Sequence, residues 1–210
     1  MTKKQKYDFI IATNNEHKLG EIRAVLSSVG CGARSLRESG IEADPEENGA
    51  TFSRNARIKA EAVFKAAGGR FAVLADDSGL CVDFLGGRPG VHTARYAGEH
   101  GDSEKNMDKL LAELKDVPQN ERSARFVSCV CALLPSGEEL RATGFVEGYI
   151  GFEREGAGGF GYDPVFRLPN KVGIATLSDE RKNAISHRGR ALRKLAFKLR
   201  GIKRIKGYRP

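Results

Sequence analysis

The sequence predicts an α/β protein with a twisted, mixed β-sheet flanked by helices, on three observations. Short apolar runs alternate with helical periodicities, a long hairpin interrupts that alternation, and no strict repeat marks a barrel. The chain has 210 residues, of which 40% are hydrophobic, enough for one large domain or two small lobes. Its 25 glycines follow no Gly-X-Y period, and no apolar run reaches membrane-spanning length. The start, MTKKQKYDFIIAT, lacks the apolar core and small-residue cleavage site of a signal peptide, so a cytoplasmic location is expected.

Residues 7–12 (YDFIIA) read as a buried strand, and the polar stretch TNNEHK follows. Leu19, Ile22, Leu26 and Val29 then recur on one face of a helix that ends near Gly30. After an acidic segment at 42–49, Phe52, Ala56, Ala60, Val63 and Ala67 mark a second helix, stopped by Gly68 and Gly69, with Asn55 and Lys59 on one polar edge. Residues 71–75 (FAVLA) form another strand, which is expected to end at Asp76, Asp77, Ser78 and Gly79, with extended chain resuming over 80–85. Ser103 is expected to cap a helix bearing Met107, Leu110, Leu111 and Leu114. Residues 123–134, the turn PSGE and residues 139–150 read as a long antiparallel hairpin, which makes the sheet mixed. A glycine-rich loop, GAGGFG, covers 156–161, a short helix opens at Ser178, and the last helix follows Ser186 with Leu192, Leu195, Ala196 and Leu199 inward.

The net charge of +8 is unevenly placed, because residues 181–210 hold twelve Lys/Arg and no Asp/Glu. Such a segment suits either contact with nucleic acid or acidic lipid, or a solvated terminal helix whose dipole favours cations at its end. The latter is the expectation, with no stable nucleic-acid partner and no membrane. Cys31, Cys81, Cys129 and Cys131 have no zinc spacing and read as buried thiols.

Four segments carry candidate chemistry. Residues 13–18 join a strand to a helix N-terminus, where free N–H groups and Lys18 suit an anion, although such a turn is also common for structural reasons. The adjacent carboxylates of Asp76 and Asp77 need a cation or solvent, and an all-oxygen Mg²⁺ site with Glu46 or Glu47 fits, as does a simple turn. His187 and Arg188 open a helix where the dipole disfavours cations, which calls for an anionic or hydrogen-bonding ligand or for a partner carboxylate. In the fourth segment, residues 158–163, glycines allow close backbone approach, and Phe160 offers a base-stacking face or plugs a small core.

Taken together and in order, ATNNEHK, TFSRNARIKA, LADDSGL, GGRPGVHTARYAG, GGFGYDPVF and ISHRGRAL resemble the inosine triphosphate pyrophosphatase family nearly end to end. The resemblance implies one domain over residues 1–200, followed by a basic tail at 201–210, in an elongated two-lobed chain with the active site in the cleft between lobes. It implies Mg²⁺-dependent hydrolysis of non-canonical purine nucleoside triphosphates (dITP, ITP, XTP) to monophosphate and pyrophosphate, which cleanses the nucleotide pool, by a homodimer. Carried over by position, Thr13, Asn14, Asn15, Lys18 and Lys59 hold the triphosphate. Asp77 is the catalytic carboxylate and a metal ligand, with Ser78 beside it and Glu47 favoured over Glu46 as the second ligand. Phe160, Gly161, Tyr162, Asp163, Lys182, His187 and Arg188 surround base and sugar. Asn14 departs from the family, where glycine is frequent. A non-catalytic nucleotide sensor, or a nucleic-acid-associated protein acting through the basic tail, are the alternatives.

Overall fold

The computed structural model describes residues 7–99, 101–156 and 159–201. Six strands, β1 (Asp8–Ile11), β2 (Gly32–Arg34), β3 (Ala72–Val82), β4 (Ser123–Leu133), β5 (Glu139–Ile150) and β6 (Phe166–Arg167), form one sheet in the order β2-β1-β3-β4-β5-β6. The helices are α1 (Glu16–Ser28), α2 (Phe52–Ala66), α3 (Ser103–Glu113), α4 (Asp179–Ile185) and α5 (His187–Gly201). β1 runs parallel to β2 and β3, whereas β5 and β6 are antiparallel. The five-residue turn between neighbours β4 and β5 allows only an antiparallel pair, so the expected mixed sheet is present. No helix among the described residues is long and apolar enough to cross a membrane.

The chain divides into two compact units. The first comprises residues 7–77, 128–144 and 187–201, and the second 78–127 and 145–186. In the first, the two-residue period of the strands sorts side chains to opposite faces. Phe9, Ile11, Ala72, Leu74, Val130 and Ala132 pack against Leu19, Ile22 and Leu26 of α1 and Leu192, Leu195 and Leu199 of α5. Their neighbours Ile10, Ala12, Val73, Ala75 and Cys131 meet Ala56, Ala60 and Val63 of α2. Of the three helical periodicities read from sequence, those of α1 and α5 therefore cover one face of the sheet and that of α2 the other. None of the four cysteines is in a disulfide among the described residues, and burial pushes the Cys131 thiol up to about 12.

Gly144 of β5 explains how closely α5 approaches. A Cβ there would lie 2.2 Å from the His187 carbonyl oxygen and 2.4 Å from the Ala191 nitrogen, both backbone atoms that cannot rotate away. Gly144→Ala is expected to push α5 off the sheet and lower unfolding free energy by about 1–3 kcal/mol. Urea unfolding checks it, and an unchanged midpoint would contradict the close packing.

The second unit is built around Leu80, Val82, Met107, Leu110, Phe126, Ile150 and Phe166. Arg122, 1% exposed, donates from Nε to Ile150 O (2.8 Å), from Nη1 to Leu114 O (2.5 Å) and from Nη2 to Gly151 O (2.7 Å). A buried cation is tolerated there because several carbonyl dipoles converge on it.

Four expectations need correction. Asp76 and Asp77 do not end a strand but lie in the middle of β3, which stops at Val82 rather than extending to residue 85. The strand continues because each carboxylate finds cations on its own face. The cap of α3 is Asp102, whose side chain accepts from Lys105 N, and Ser103 is the first helical residue. Asn55 is not on a polar edge, being 1% exposed and accepting from Gly49 N at 2.8 Å. Of the loop at 156–161, residues 157 and 158 lie outside the described residues, as does the basic tail after Gly201.

Candidate active site

Because successive side chains of a strand point to opposite faces, Asp76 continues the Ala72–Leu74 row facing α1 and α5, and Asp77 continues the Val73–Ala75 row facing α2. The two adjacent carboxylates thus serve two different cation sets.

Asp76 is buried among Lys18 Nζ at 3.1 Å, Arg188 Nε at 3.3 Å and the Ser128 hydroxyl, which donates to Oδ1. Arg188 also donates from Nη1 to Glu21. Burial alone would raise the Asp76 carboxyl, but Lys18, Arg188 and Ser128 hold it far below the usual carboxylate range. Burial pulls the Lys18 ammonium down despite Asp76. Here is the partner carboxylate that Arg188 required at the start of α5.

On the other face Lys59 Nζ lies 2.9 Å from Glu47 Oε2 and 3.3 Å from Asp77 Oδ1. Burial would depress Lys59, yet Asp77 and Glu47 raise it, while burial, reinforced by Glu47, raises Asp77. Asp77 Oδ2 is buried and has no hydrogen-bond partner among the described residues. A buried carboxylate oxygen left without a donor is costly unless a ligand completes it. The carboxylate oxygens that flank Lys59 suit a hard cation such as Mg²⁺, with Asp77 and Glu47 as protein ligands and the remaining positions for water and phosphate. Glu46 is exposed, whereas Glu47 is half-buried beside Lys59.

The strand-to-helix loop is ordered by its own side chains. Asn15 Oδ1 accepts from Lys18 N at 3.0 Å as the cap of α1, and Asn15 N donates to Thr13 Oγ1 at 3.2 Å, while Asn14 is exposed. Thr13 and Asn15 shape the loop, and Lys18 projects its charge to Asp76.

Within the second unit, Asp163 Oδ2 accepts from Phe160 N and from Lys182 Nζ, each at 2.6 Å. Gly159 has φ +91°, and a Cβ there would lie 2.4 Å from Asp163 Oδ2, so only glycine lets the carboxylate reach back to the loop. Phe160 is 49% exposed, Gly161 also has positive φ, and Tyr162 is buried with its hydroxyl donating to Thr93 O at 2.9 Å. Ser78 is buried next to Asp77 on β3.

Lys18, Asp76 and Arg188 thus meet on one face of β3 and Glu47, Lys59 and Asp77 on the other, while His187 belongs to the same unit, as do Thr13, Asn14 and Asn15 at the head of α1. Phe160, Gly161, Tyr162, Asp163 and Lys182 belong to the second. Sequence reasoning missed Glu21 and Ser128. Glu21 sits three residues after Lys18, hence on the same helix face, and Ser128 is the hydroxyl within the apolar run FVSCVCALL. Both were visible as anomalies of pattern.

Fold and site together define a mixed-sheet α/β protein whose polar centre sets two carboxylates of one strand against lysines and an arginine. The family model described as the Ham1 family matches residues 9–198. A dITP/XTP pyrophosphatase of Clostridium perfringens (strain 13 / Type A) is 47% identical over 199 residues, covering 92% of this chain and 98% of that protein. One of Bacillus subtilis (strain 168) is 47% identical over 188 residues, covering 89% and 94%. The solved structure of the Staphylococcus aureus Ham1 protein superposes with a TM-score of 0.83 at 38% identity, covering 93% of this chain and all of that one. The chain belongs to the Ham1 family, in agreement with the resemblance carried by the six motifs.

Proposed function

We propose that this protein hydrolyses dITP, ITP and XTP to the nucleoside monophosphate and pyrophosphate in the presence of Mg²⁺, as a cytoplasmic homodimer that clears such nucleotides from the pool. The observation that carries the reading, on a chain of this family, is the buried Asp77 oxygen without a donor, beside Lys59 and Glu47. Residues 1–200 are read as one functional domain.

In this reading Asp77 and Glu47 hold Mg²⁺, which when bound neutralises phosphate charge. Asp77 also orients a water toward the phosphorus nearest the sugar and accepts its proton, a role suited to a carboxyl raised by burial. Lys59 and Lys18 supply positive charge to the departing pyrophosphate, with Thr13, Asn14 and Asn15 shaping the loop that receives it. Asp76 keeps Lys18 and Arg188 in place. Positioning and charge stabilisation suffice for phosphoryl chemistry, so no acyl-type nucleophile is needed.

Base recognition is assigned to Phe160, Gly161, Tyr162, Asp163, Lys182, His187 and Arg188. Donors at His187 and Arg188 meet the 6-oxo group of hypoxanthine or xanthine, which the 6-amino group of adenine cannot replace. Nε and Nη1 of Arg188 also donate to Asp76 and Glu21, which fixes the side chain at the start of α5. A site that requires such a bond discriminates by about 10⁴–10⁵ against a ligand lacking it.

Steady-state hydrolysis of dITP, XTP, ATP and GTP, each with Mg²⁺ or with EDTA, tests the proposal. The expected result is turnover of dITP and XTP only, abolished by EDTA. Equal rates on all four, or turnover indifferent to EDTA, would overturn it, and tight binding without turnover would favour a nucleotide sensor.

A further inference from the structure

The first unit carries a second feature that hydrolysis does not use, an open groove of about 660 Å³ between β5 and α5. Arg141 and Thr143 line one side and Arg193, Lys194, Phe197 and Lys198 the other, and no lining residue is acidic. Arg141 is balanced by Glu139, and α5 contributes the other three cations.

The geometry of α5 sets these groups in two rows. Arg193 and Phe197, like Lys194 and Lys198, are four residues apart, about 6 Å along the helix axis. Lys194 Nζ donates to Thr143 O at 2.8 Å and Lys198 Nζ to Arg141 O at 2.6 Å, which pins both ammonium groups along β5. An ammonium has three donors, so the Arg141 carbonyl does not exhaust that of Lys198. Phe197 is 76% exposed, more than any other large apolar side chain among the described residues. In sequence, α5 is followed by Lys203, Arg204, Lys206 and Arg209 with no acid among them.

We propose that this groove binds single-stranded nucleic acid, with phosphates along the cationic rows and an unpaired base stacked on Phe197. Basic grooves that follow a backbone, together with aromatic rings on which bases stack, are the chemistry by which such strands are held. The concavity and the lone ring argue against a bilayer. Leu192, Leu195, Ala196 and Leu199 of α5 are all buried in the core, so the helix has no apolar face to insert. A duplex offers no unstacked base to Phe197. The cations of α5 then do more than solvate a terminal helix, contrary to what charge alone suggests.

Fluorescence anisotropy of labelled oligothymidylate and oligouridylate, titrated with the full chain across a salt series, tests it. Affinity is expected to fall linearly in log–log form with salt, and the double substitution Arg193→Gln/Lys198→Gln to reduce the slope by about 1.4, or about 0.7 for each phosphate that is no longer neutralised. Phe197→Ala should weaken binding about fivefold or more at fixed salt, whereas Phe197→Tyr should retain it. All variants should keep the circular dichroism spectrum and the nucleotide hydrolysis of the parent. Equal affinity for a blunt duplex, binding only to phosphatidylserine vesicles, or no binding would overturn the proposal. So would binding that survives Phe197→Ala unchanged but disappears when residues 202–210 are removed, since the tail alone would then be the attractant.

Discussion

Asp77→Asn is expected to lower kcat for dITP by about 10²–10⁴-fold, the range for loss of a positioned proton acceptor. The substitution keeps the volume of the side chain while removing its charge. Lys59 retains Glu47 at 2.9 Å, and the Asp77 oxygen that has no donor loses nothing in hydrogen bonding. The melting temperature should therefore change little, so lost turnover in a folded protein assigns the carboxylate to chemistry rather than to architecture. A variant with near-parental kcat would remove Asp77 from the reaction.

The opposite pattern is expected at the neighbouring residue. Asp76→Ala leaves Lys18 and Arg188 buried without the carboxylate between them, and breaking a buried ion pair by removing one partner costs about 3–5 kcal/mol. Glu21 still faces Arg188, which places the loss toward the lower end. For a chain of this length that corresponds to a fall of roughly 6–12 °C in Tm. Asp76→Asn, which can still accept from Ser128, should fall less far. Differential scanning calorimetry of the two variants beside Asp77→Asn checks the division of labour, and an Asp76→Ala protein as stable as the parent would contradict the buried network.

The contrast between these two adjacent aspartates also marks how far the sequence could be read. The helices and the long hairpin follow from periodicities of 3.6 and 2 that local burial imposes, so Leu19–Ile22–Leu26 and the paired arms around residues 134–138 were legible. The three-residue β2 and two-residue β6 were not, because neither is long enough to show a pattern. Polar residues depress strand propensity, so the DDS triplet looked like an end. What keeps β3 extended there is Lys18, Lys59, Ser128 and Arg188, the last 112 residues away in sequence, and no local signal reports such partners. The choice between Asp102 and Ser103 as a cap failed for a smaller reason, since both residue types cap well and they are adjacent.

At the candidate site, residue types were legible but their partnerships were not. The lysines, the carboxylates and His187-Arg188 stand out in sequence, and the structure adds that Arg188 is tied to Asp76 and Glu21 while Asp163 is tied to Lys182 and the Phe160 amide.

In the proposed reaction the bond broken is the one between the phosphorus nearest the sugar and the next bridging oxygen. Product analysis of dITP hydrolysis by anion-exchange chromatography tests this most directly. Deoxyinosine monophosphate and pyrophosphate are expected in equal amounts, with no diphosphate intermediate at any time. Release of orthophosphate with deoxyinosine diphosphate as the first product would contradict it.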